Sequence, residues 1–213
     1  MNIIEMHEYC DLLLDKANSP WYSSAEKDRF INLAQPEFVE SRYETFELDE
    51  RTRKELLPLV RRTTGANVSE IDLSNIKDYM FTLNLIGVFN KKCGNGTNTE
   101  KIYPLQLDDE GENQKDPFNK NDDENPAYTE ENNGTNNVLL IVSDNIPISY
   151  TLKYLMRAPD VFRDVNSPSN NVDCILPAFT HEEIVNIAVR KMMANTEQIQ
   201  NYQMQNNEIN QQN

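Results

Sequence analysis

Residues 6–46, MHEYCDLLLDKANSPWYSSAEKDRFINLAQPEFVESRYETF, predict the first half of the fold. Their apolar residues recur at helical spacing on both sides of a short Ser-Pro-Trp turn, which indicates two amphipathic helices joined as a hairpin. The first helix is predicted over residues 4–17. Ser23 or Ser24 should cap the second, because a serine hydroxyl accepts from the unpaired N–H groups of a first turn. Pro36 should kink or split this second helix, since proline removes a backbone donor.

After a basic helix predicted over residues 49–62, the apolar residues begin to alternate, which is typical of strands. About four strands are expected, over residues 79–88, 101–107, 138–142 and 148–156. The first two should form a hairpin around the Gly- and Asn-rich residues 91–99, with a bulge near Ile86. Residues 108–137 predict a long loop that holds a short strand at 127–128. Because these strands are neighbours in sequence, the sheet should be small and antiparallel.

The sequence THEE at residues 180–183 has the pattern of a capping box, in which Thr180 and Glu183 satisfy each other's backbone N–H groups. It predicts a C-terminal helix over residues 180–205 that packs on the N-terminal hairpin. Residues 206–213 are predicted to be a disordered tail, because Asn- and Gln-rich segments bury little apolar surface. The fold expected is α+β in one domain, residues 1–213. Its parts are a helical part, a β part and the C-terminal helix, over residues 1–65, 76–160 and 180–205.

The chain is strongly acidic, with 35 acidic and 20 basic residues and a formal net charge of −15. Such a chain is repelled by phosphate backbones, so direct nucleic-acid binding is disfavoured. The basic residues within 49–62 either form a solvated helix face or contact an acidic neighbouring subunit. No run of 18 apolar residues occurs, which predicts no membrane span. Three widely spaced cysteines predict reduced thiols in a cytoplasmic setting.

The residue types that carry chemistry are sparse and scattered. His7 and His181 each lie at a predicted helix start without a metal-ligand partner at suitable spacing, which predicts surface or capping roles. No catalytic residue, cofactor site or metal site is therefore predicted, and the chain is expected not to be an enzyme. One alternative remains, a metal-dependent hydrolase that uses the acidic loop. Its carboxylates would be Asp108, Asp109, Asp122 and Asp123.

Four segments together resemble the head–tail connector ring proteins of crAss-like tailed bacteriophages. They are LDKANSPWYSSAEKDRFINLAQPEFVESRY at 14–43, KDPFNKNDDENPAY at 115–128, LKYLMRAPDV at 152–161 and DCILPAFTHEEIVNIAVRKMM at 173–193. The resemblance extends over about residues 6–202. It implies a structural virion protein that forms a ring, of twelve copies, below the portal in the phage neck. Such a protein would be made in the host cytoplasm and would contact the portal and other neck or tail rings.

DNA would pass through the channel of such a ring without specific binding, and an acidic wall would repel it and keep it sliding. The residues expected to contact neighbouring subunits are Trp21, Phe30, Phe38, Phe118, Ile199, Tyr202 and Ile209. The last three would anchor the polar C-terminal segment in a groove of a neighbouring ring. A different class of function stays open: an assembly or scaffolding protein, or a host-directed binding protein, that is absent from the mature virion.

Overall fold

The computed structural model of the chain describes residues 1–16, 22–92, 95–105 and 120–211, with the backbone alone described at residues 16 and 197–211. Within these ranges it contains four α-helices and a seven-stranded mixed sheet, which confirms the predicted α+β class. The chain forms two compact units where the sequence predicts one domain. The helical unit comprises Met1–Pro58 and Ala158–Asn213, and the β unit comprises Leu59–Arg157.

The described helices all belong to the helical unit. They are α1 (Ile3–Lys16), α2 (Ser24–Tyr43), α3 (Glu50–Leu56) and α4 (His181–Gln211). As predicted, α4 packs against both α1 and α2. The buried apolar side chains of this unit include Met6, Cys10, Ile31, Phe38, Ile184, Ala188 and Met192. Helix α4 continues to Gln211, so residues 206–211, which the sequence predicts to be disordered, are helical.

Helix α2 begins at the predicted cap. The Ser23 hydroxyl accepts from the Glu26 N–H at 3.4 Å, and the Glu26 carboxylate accepts from the Ser23 N–H at 2.7 Å, which is a reciprocal capping box. Pro36 does not split the helix, which runs unbroken from Ser24 to Tyr43. Buried residues on both sides of Pro36, such as Ala34 and Phe38, hold the helix by packing, which outweighs the missing donor.

The basic helix predicted over residues 49–62 is shorter than expected. Helix α3 ends at Leu56, a 3₁₀ turn covers Leu57–Leu59, and a strand begins at Val60. Pro58 lacks an N–H and cannot continue the helix, and the β-branched residues that follow favour extended backbone. The helical part predicted over residues 1–65 therefore stops at the 3₁₀ turn.

The β unit holds the described strands, which outnumber the four predicted. They are β1 (Val60–Ala66), β2 (Glu70–Asp72), β3 (Tyr79–Asn90), β4 (Thr97–Pro104), β5 (Ala127–Asn132), β6 (Asn137–Val142) and β7 (Ser149–Met156). Their order in the sheet is β1-β7-β3-β4-β5-β6-β2. Every described pair is antiparallel except β4 with β5, so the sheet is mixed where an antiparallel one is predicted.

The sheet curls on itself. Strands β1 and β2 lie at opposite ends of the order, yet residues 67–69 alone separate them in sequence, so the two edges must approach each other. Register shifts in β3 fall between Tyr79 and Phe81 and between Thr82 and Asn84, and not near Ile86 as predicted. Such bulges increase the local twist of a strand, which suits a curled sheet. Strand β5 lies inside the long loop predicted over 108–137, whereas residues 106–119 are outside the description.

Candidate interaction surface

One face of α2 binds the backbone of the connection that leads to α4. The polar side chains of this face are Asp28, Asn32 and Gln35, which lie at helical spacing. They bind alternate backbone positions, those of Arg163, Val161 and Pro159. Asn32 uses both ends of its amide, since it accepts from the Val161 N–H at 2.7 Å and donates to the Val161 carbonyl at 3.0 Å. Val161 is buried against the helix, and the next side chain, Phe162, is half exposed.

The two histidines are buried in the helical unit, although the sequence predicts surface or capping roles. His7 Nε2 lies 2.8 Å from Asp28 Oδ1, so the histidine shares the carboxylate that holds the connection to α4. The two ring nitrogens of His181 each lie 2.7 Å from a backbone carbonyl, that of Met1 and that of Leu176. Both histidines therefore tie chain segments together.

The start of α4 also differs in detail from the predicted capping box. The Thr180 hydroxyl donates to the Pro177 carbonyl at 2.8 Å, within a 3₁₀ turn that precedes the helix. The Glu183 carboxylate accepts two hydrogen bonds from Arg42 of α2, at 2.7 and 2.6 Å. The carboxylate thus joins two helices where the sequence predicts that it would bind its own helix start.

Residues 162–172 form a loop whose ends are joined by an isolated β-bridge. The Phe162 N–H donates to the Val172 carbonyl at 3.1 Å, and the Val172 N–H donates to the Phe162 carbonyl at 2.8 Å. Inside the loop the Asp164 carboxylate accepts from three groups, the N–H groups of Asn166 and Ser167 and the amide of Asn170. These bonds, that of Ser167 above all, hold the pKa of Asp164 below its ordinary value. The loop is thus shaped by its own hydrogen bonds.

This loop and the residues that follow it expose large apolar side chains. We name them the apolar loop surface: Phe162, Val165, Val172, Ile175 and Phe179. Phe162 is 49% exposed, Val165 66% and Phe179 61%. Directly paired residues of an antiparallel bridge point to the same side, so Phe162 and Val172 share a face. Neighbouring exposed apolar groups such as this pair are typical of surfaces that another protein covers.

The residues that the sequence predicts to contact neighbouring subunits differ in burial, and some lie outside the described part of the chain. Phe38 is fully buried and stacks under the Arg42 guanidinium, with 5.0 Å between the guanidinium carbon and the ring centre, so it is a core residue. Phe30 is partly exposed and meets Tyr22 edge-on, at 5.8 Å between ring centres. Trp21 and Phe118 lie outside the described residues. The remaining three, Ile199, Tyr202 and Ile209, lie in α4, and their side chains are outside the description.

Sequence reasoning missed the apolar loop surface because its residues follow no helical or alternating period. Phe162 and Val165 are separated by charged residues, and Phe179 follows a proline and an alanine. Periodicity identifies apolar residues that face a core. The sequence feature that could have identified this surface is a group of large apolar residues in a segment where neither a helix nor a strand is predicted.

Three acidic residues described in the β unit, Asp122, Asp123 and Asp144, are bound by neighbouring protein groups. Lys92 contacts Asp122 at 2.9 Å and Asp144 at 3.0 Å. The bond from Lys92 holds the pKa of Asp122 below its ordinary value, and the bonds from Lys120 and then Lys92 do the same for Asp144. Asp123 is buried and accepts from the backbone and the amide of Asn145, at 2.8 and 2.6 Å. Residues 108 and 109 of the hydrolase alternative are outside the description. Among the described residues, no three His, Cys, Asp or Glu side chains are grouped to hold a metal ion.

The β unit also contains a polar cleft of about 540 Å³, lined in part by Ser74, Tyr79 and Arg157. The Ser74 hydroxyl donates to the Asp72 carboxylate at 2.6 Å, in a turn where the same carboxylate accepts from the Ser74 N–H. These bonds hold the pKa of Asp72 below its ordinary value. The hydroxyl thus stabilises a turn, and the described residues that line the cleft include neither a histidine nor a cysteine.

Comparison with protein-family models and with curated protein sequences finds no match for this chain. Among its described helices, none is both long enough and apolar enough to cross a lipid bilayer.

Proposed function

We propose that this protein is a structural component of a tailed-phage head–tail connector, where identical copies form a ring below the portal. The observation that carries the proposal is the apolar loop surface, whose members Phe162, Val165 and Val172 lie on a loop held by its own hydrogen bonds and whose other two members follow that loop. Leaving such groups in water is unfavourable, so they favour a protein whose working state is an assembly. The resemblance of four sequence segments to connector ring proteins supports the same class.

The polar groups of the helical unit also suit a structural role. Asp28 accepts from the Arg163 backbone at 3.0 Å and lies 2.8 Å from the His7 ring, and Asn32 is occupied at both ends by Val161. Side chains engaged in this way support the connection that carries the exposed apolar residues. They hold the backbone beneath that surface in one shape, which lowers the entropy cost of binding a neighbour.

The proposed ring has twelve copies, contacts the portal and other neck or tail rings, and lets DNA pass through its channel. The net charge of −15 per copy favours a channel that repels DNA and does not grip it. The proposal involves neither a cofactor nor a membrane. A density map of the assembled ring tests the charge argument, since a basic channel wall would contradict it.

The native mass of the full-length protein, measured alone and with the portal protein of the same phage, tests the proposed function. We expect a ring with a defined copy number in the presence of the portal. A protein that neither assembles nor binds the portal would overturn the proposal.

Quantitative mass spectrometry of purified virions distinguishes a connector from an assembly or host-directed protein. A connector is present at a fixed number of copies per portal, whereas the alternative classes predict its absence from mature particles. An absence would therefore refute the virion location.

A further inference from the structure

Strand β1 forms one edge of the sheet, since the described ladders pair it with β7 alone. Just past the end of β1, the Asn67 N–H donates to the Ile148 carbonyl at 3.2 Å, in the register of the β1–β7 ladder. In an antiparallel ladder, residues alternate between bonding the neighbouring strand and directing their backbone groups away from it. The N–H and carbonyl groups that β1 directs away from β7 are therefore those of Arg62, Thr64 and Ala66.

These outward-facing residues of β1 are all exposed. Strand β2 follows after residues 67–69, but its described ladder is with β6. The carboxylates of β2 are engaged within the β unit, because Glu70 accepts from the Asn133 amide and Asp72 accepts from the Ser74 hydroxyl. An unpaired strand edge of this kind can accept an extended peptide as a further strand, since main-chain hydrogen bonds then supply the affinity.

The charge of this edge is opposite to that of the chain as a whole. Strands β1 and β7 contain no acidic residue, although the chain has 35 acids, and their basic residues are Arg61, Arg62 and Lys153. Arg62 is paired directly with Lys153, and both are exposed. They occupy a pair without mutual backbone hydrogen bonds, where side chains lie closest, and like charges opposite each other are destabilising. Neither side chain forms an ion pair within the described part of the chain, so a bound carboxylate would relieve their repulsion.

We propose that β1 binds an extended acidic segment of a partner protein, which joins the sheet as a further strand. The backbone of the segment bonds the outward groups of Arg62, Thr64 and Ala66, and its carboxylates neutralise Arg62 and Lys153. A second copy of β1 is a poor occupant, because it would bring more arginines to a basic edge. A nucleic acid supplies negative charge, but its backbone has no N–H groups to donate to the outward carbonyls. The inference goes beyond the proposed function, since it concerns a different protein and not the contacts between copies.

Two variants of the full chain separate the charge from the backbone bonds of this contact. Arg62→Glu reverses the charge beside Lys153. Thr64→Pro removes one outward N–H and leaves the bonds to β7 in place, because a strand accepts proline where the N–H faces away from its neighbour. The matched control is Lys77→Glu, which makes the same change of charge at an exposed residue outside β1 and β7. Far-UV circular dichroism and urea unfolding verify that each variant is folded.

Fluorescence anisotropy measures the binding of two labelled probes. The acidic probe is a synthetic peptide in which Glu alternates with Thr, and the basic probe has Lys in place of Glu. We expect the wild type and Lys77→Glu to bind the acidic probe and not the basic one. Arg62→Glu should weaken binding of the acidic probe about tenfold and gain affinity for the basic probe, and Thr64→Pro should weaken binding about fivefold.

Hydrogen exchange measured by NMR locates the added strand on the wild-type protein. The amides of Arg62, Thr64 and Ala66 should gain protection when the acidic probe binds. The amides of Thr63 and Gly65 face β7, so they should be protected before the probe is added.

Failure of the wild type to bind the acidic probe would overturn the inference, and it is the result expected if the edge arginines serve only to prevent aggregation. Equal binding by Arg62→Glu would overturn it too. An affinity unchanged in Thr64→Pro, or outward amides that stay unprotected, would mean attraction of charge without strand addition and would also refute it. Tighter binding of single-stranded oligothymidylate than of the acidic probe would assign the edge to nucleic acid instead. The proposed function fails by a different result, which is the absence of the protein from virions and from portal complexes.

Discussion

Replacing Arg42 with Met should destabilise the helical unit. Arg42 joins three helices: its Nε lies 2.8 Å from Glu55 in α3, and its terminal nitrogen lies 2.6 Å from Glu183 in α4. The Glu55 side chain is only 3% exposed. Its second oxygen is 3.0 Å from Arg51, which is itself 77% exposed. Removing Arg42 therefore leaves the buried Glu55 carboxylate with Arg51, a solvent-exposed residue, as its charged partner.

The size of the loss follows from the burial of each group. Breaking a buried ion pair on one side costs about 3–5 kcal/mol, whereas an exposed pair contributes about 0–1 kcal/mol. Glu183 is 46% exposed, so its contact with Arg42 belongs to the second class. Since the Arg42 side chain is itself 25% exposed, water screens part of the Glu55 interaction. We expect Arg42→Met to lower the free energy of unfolding by about 2–3 kcal/mol.

Urea unfolding followed by far-UV circular dichroism measures this loss, provided that the unfolding free energies of the wild type and the variant depend equally steeply on urea concentration. Glu183→Gln is the matched control and should cost no more than about 1 kcal/mol. Adding Glu55→Gln to Arg42→Met should recover at least about 1 kcal/mol, because the buried charge is then removed. A loss below about 1 kcal/mol for Arg42→Met, or no recovery in the double variant, would refute the reasoning.

Three further predictions test other parts of the molecule. Gly87→Ala should destabilise the β unit by about 1–3 kcal/mol in urea unfolding, because an added Cβ would lie 2.6 Å from the fully buried Phe89 ring. The control Gly65→Ala should cost less, because its added Cβ meets the partly exposed Tyr150 ring, and equal losses would contradict this account. Burial raises the pKa of Cys10 to about 12 and of Cys174 to about 11, so both thiols should resist alkylation at mildly alkaline pH until the protein is unfolded. Peptide mass spectrometry separates them from Cys93, and rapid labelling of Cys10 or Cys174 in the folded protein would contradict this expectation. Because the pKa of Asp164 is lower in the folded than in the unfolded state, its ionised carboxylate stabilises the fold at neutral pH, and this contribution is lost as the pH falls below about 4 through the folded-state pKa. Asp164→Asn should therefore weaken the dependence of the unfolding free energy on pH in that range, and an unchanged dependence would refute the linkage.

Local signals predicted the elements that carry their own periodicity and caps. Ser23 was one of two serines predicted to cap α2, because a serine directly before a helical pattern is typical of a helix start, whereas its reciprocal hydrogen bond with Glu26 was not predicted. Strand β3 was predicted by alternation, and the stripe of α4 by helical spacing. The packing of α4 on the first two helices was also predicted, since each helix has one apolar side to bury.

Strands β1 and β2 could not be predicted in the same way. The strand β1 has few apolar residues and pairs with β7, which lies more than 80 residues away in the chain. The strand β2 is three residues long and pairs with β6. Their extended backbone depends on partners that local sequence does not reveal, which is why the sheet was expected to be smaller.

The sequence by itself determined the α+β class, the helices at both ends of the chain and the acidic charge, because each depends on residues close together in the chain or on composition alone. The tertiary structure decided which residues are buried and which remain exposed. It placed His7 against Asp28 in the interior and left Phe162 and Phe179 in contact with water. The physical reason is that burial depends on the elements that pack over a residue, and in this chain those elements come from distant parts of the sequence.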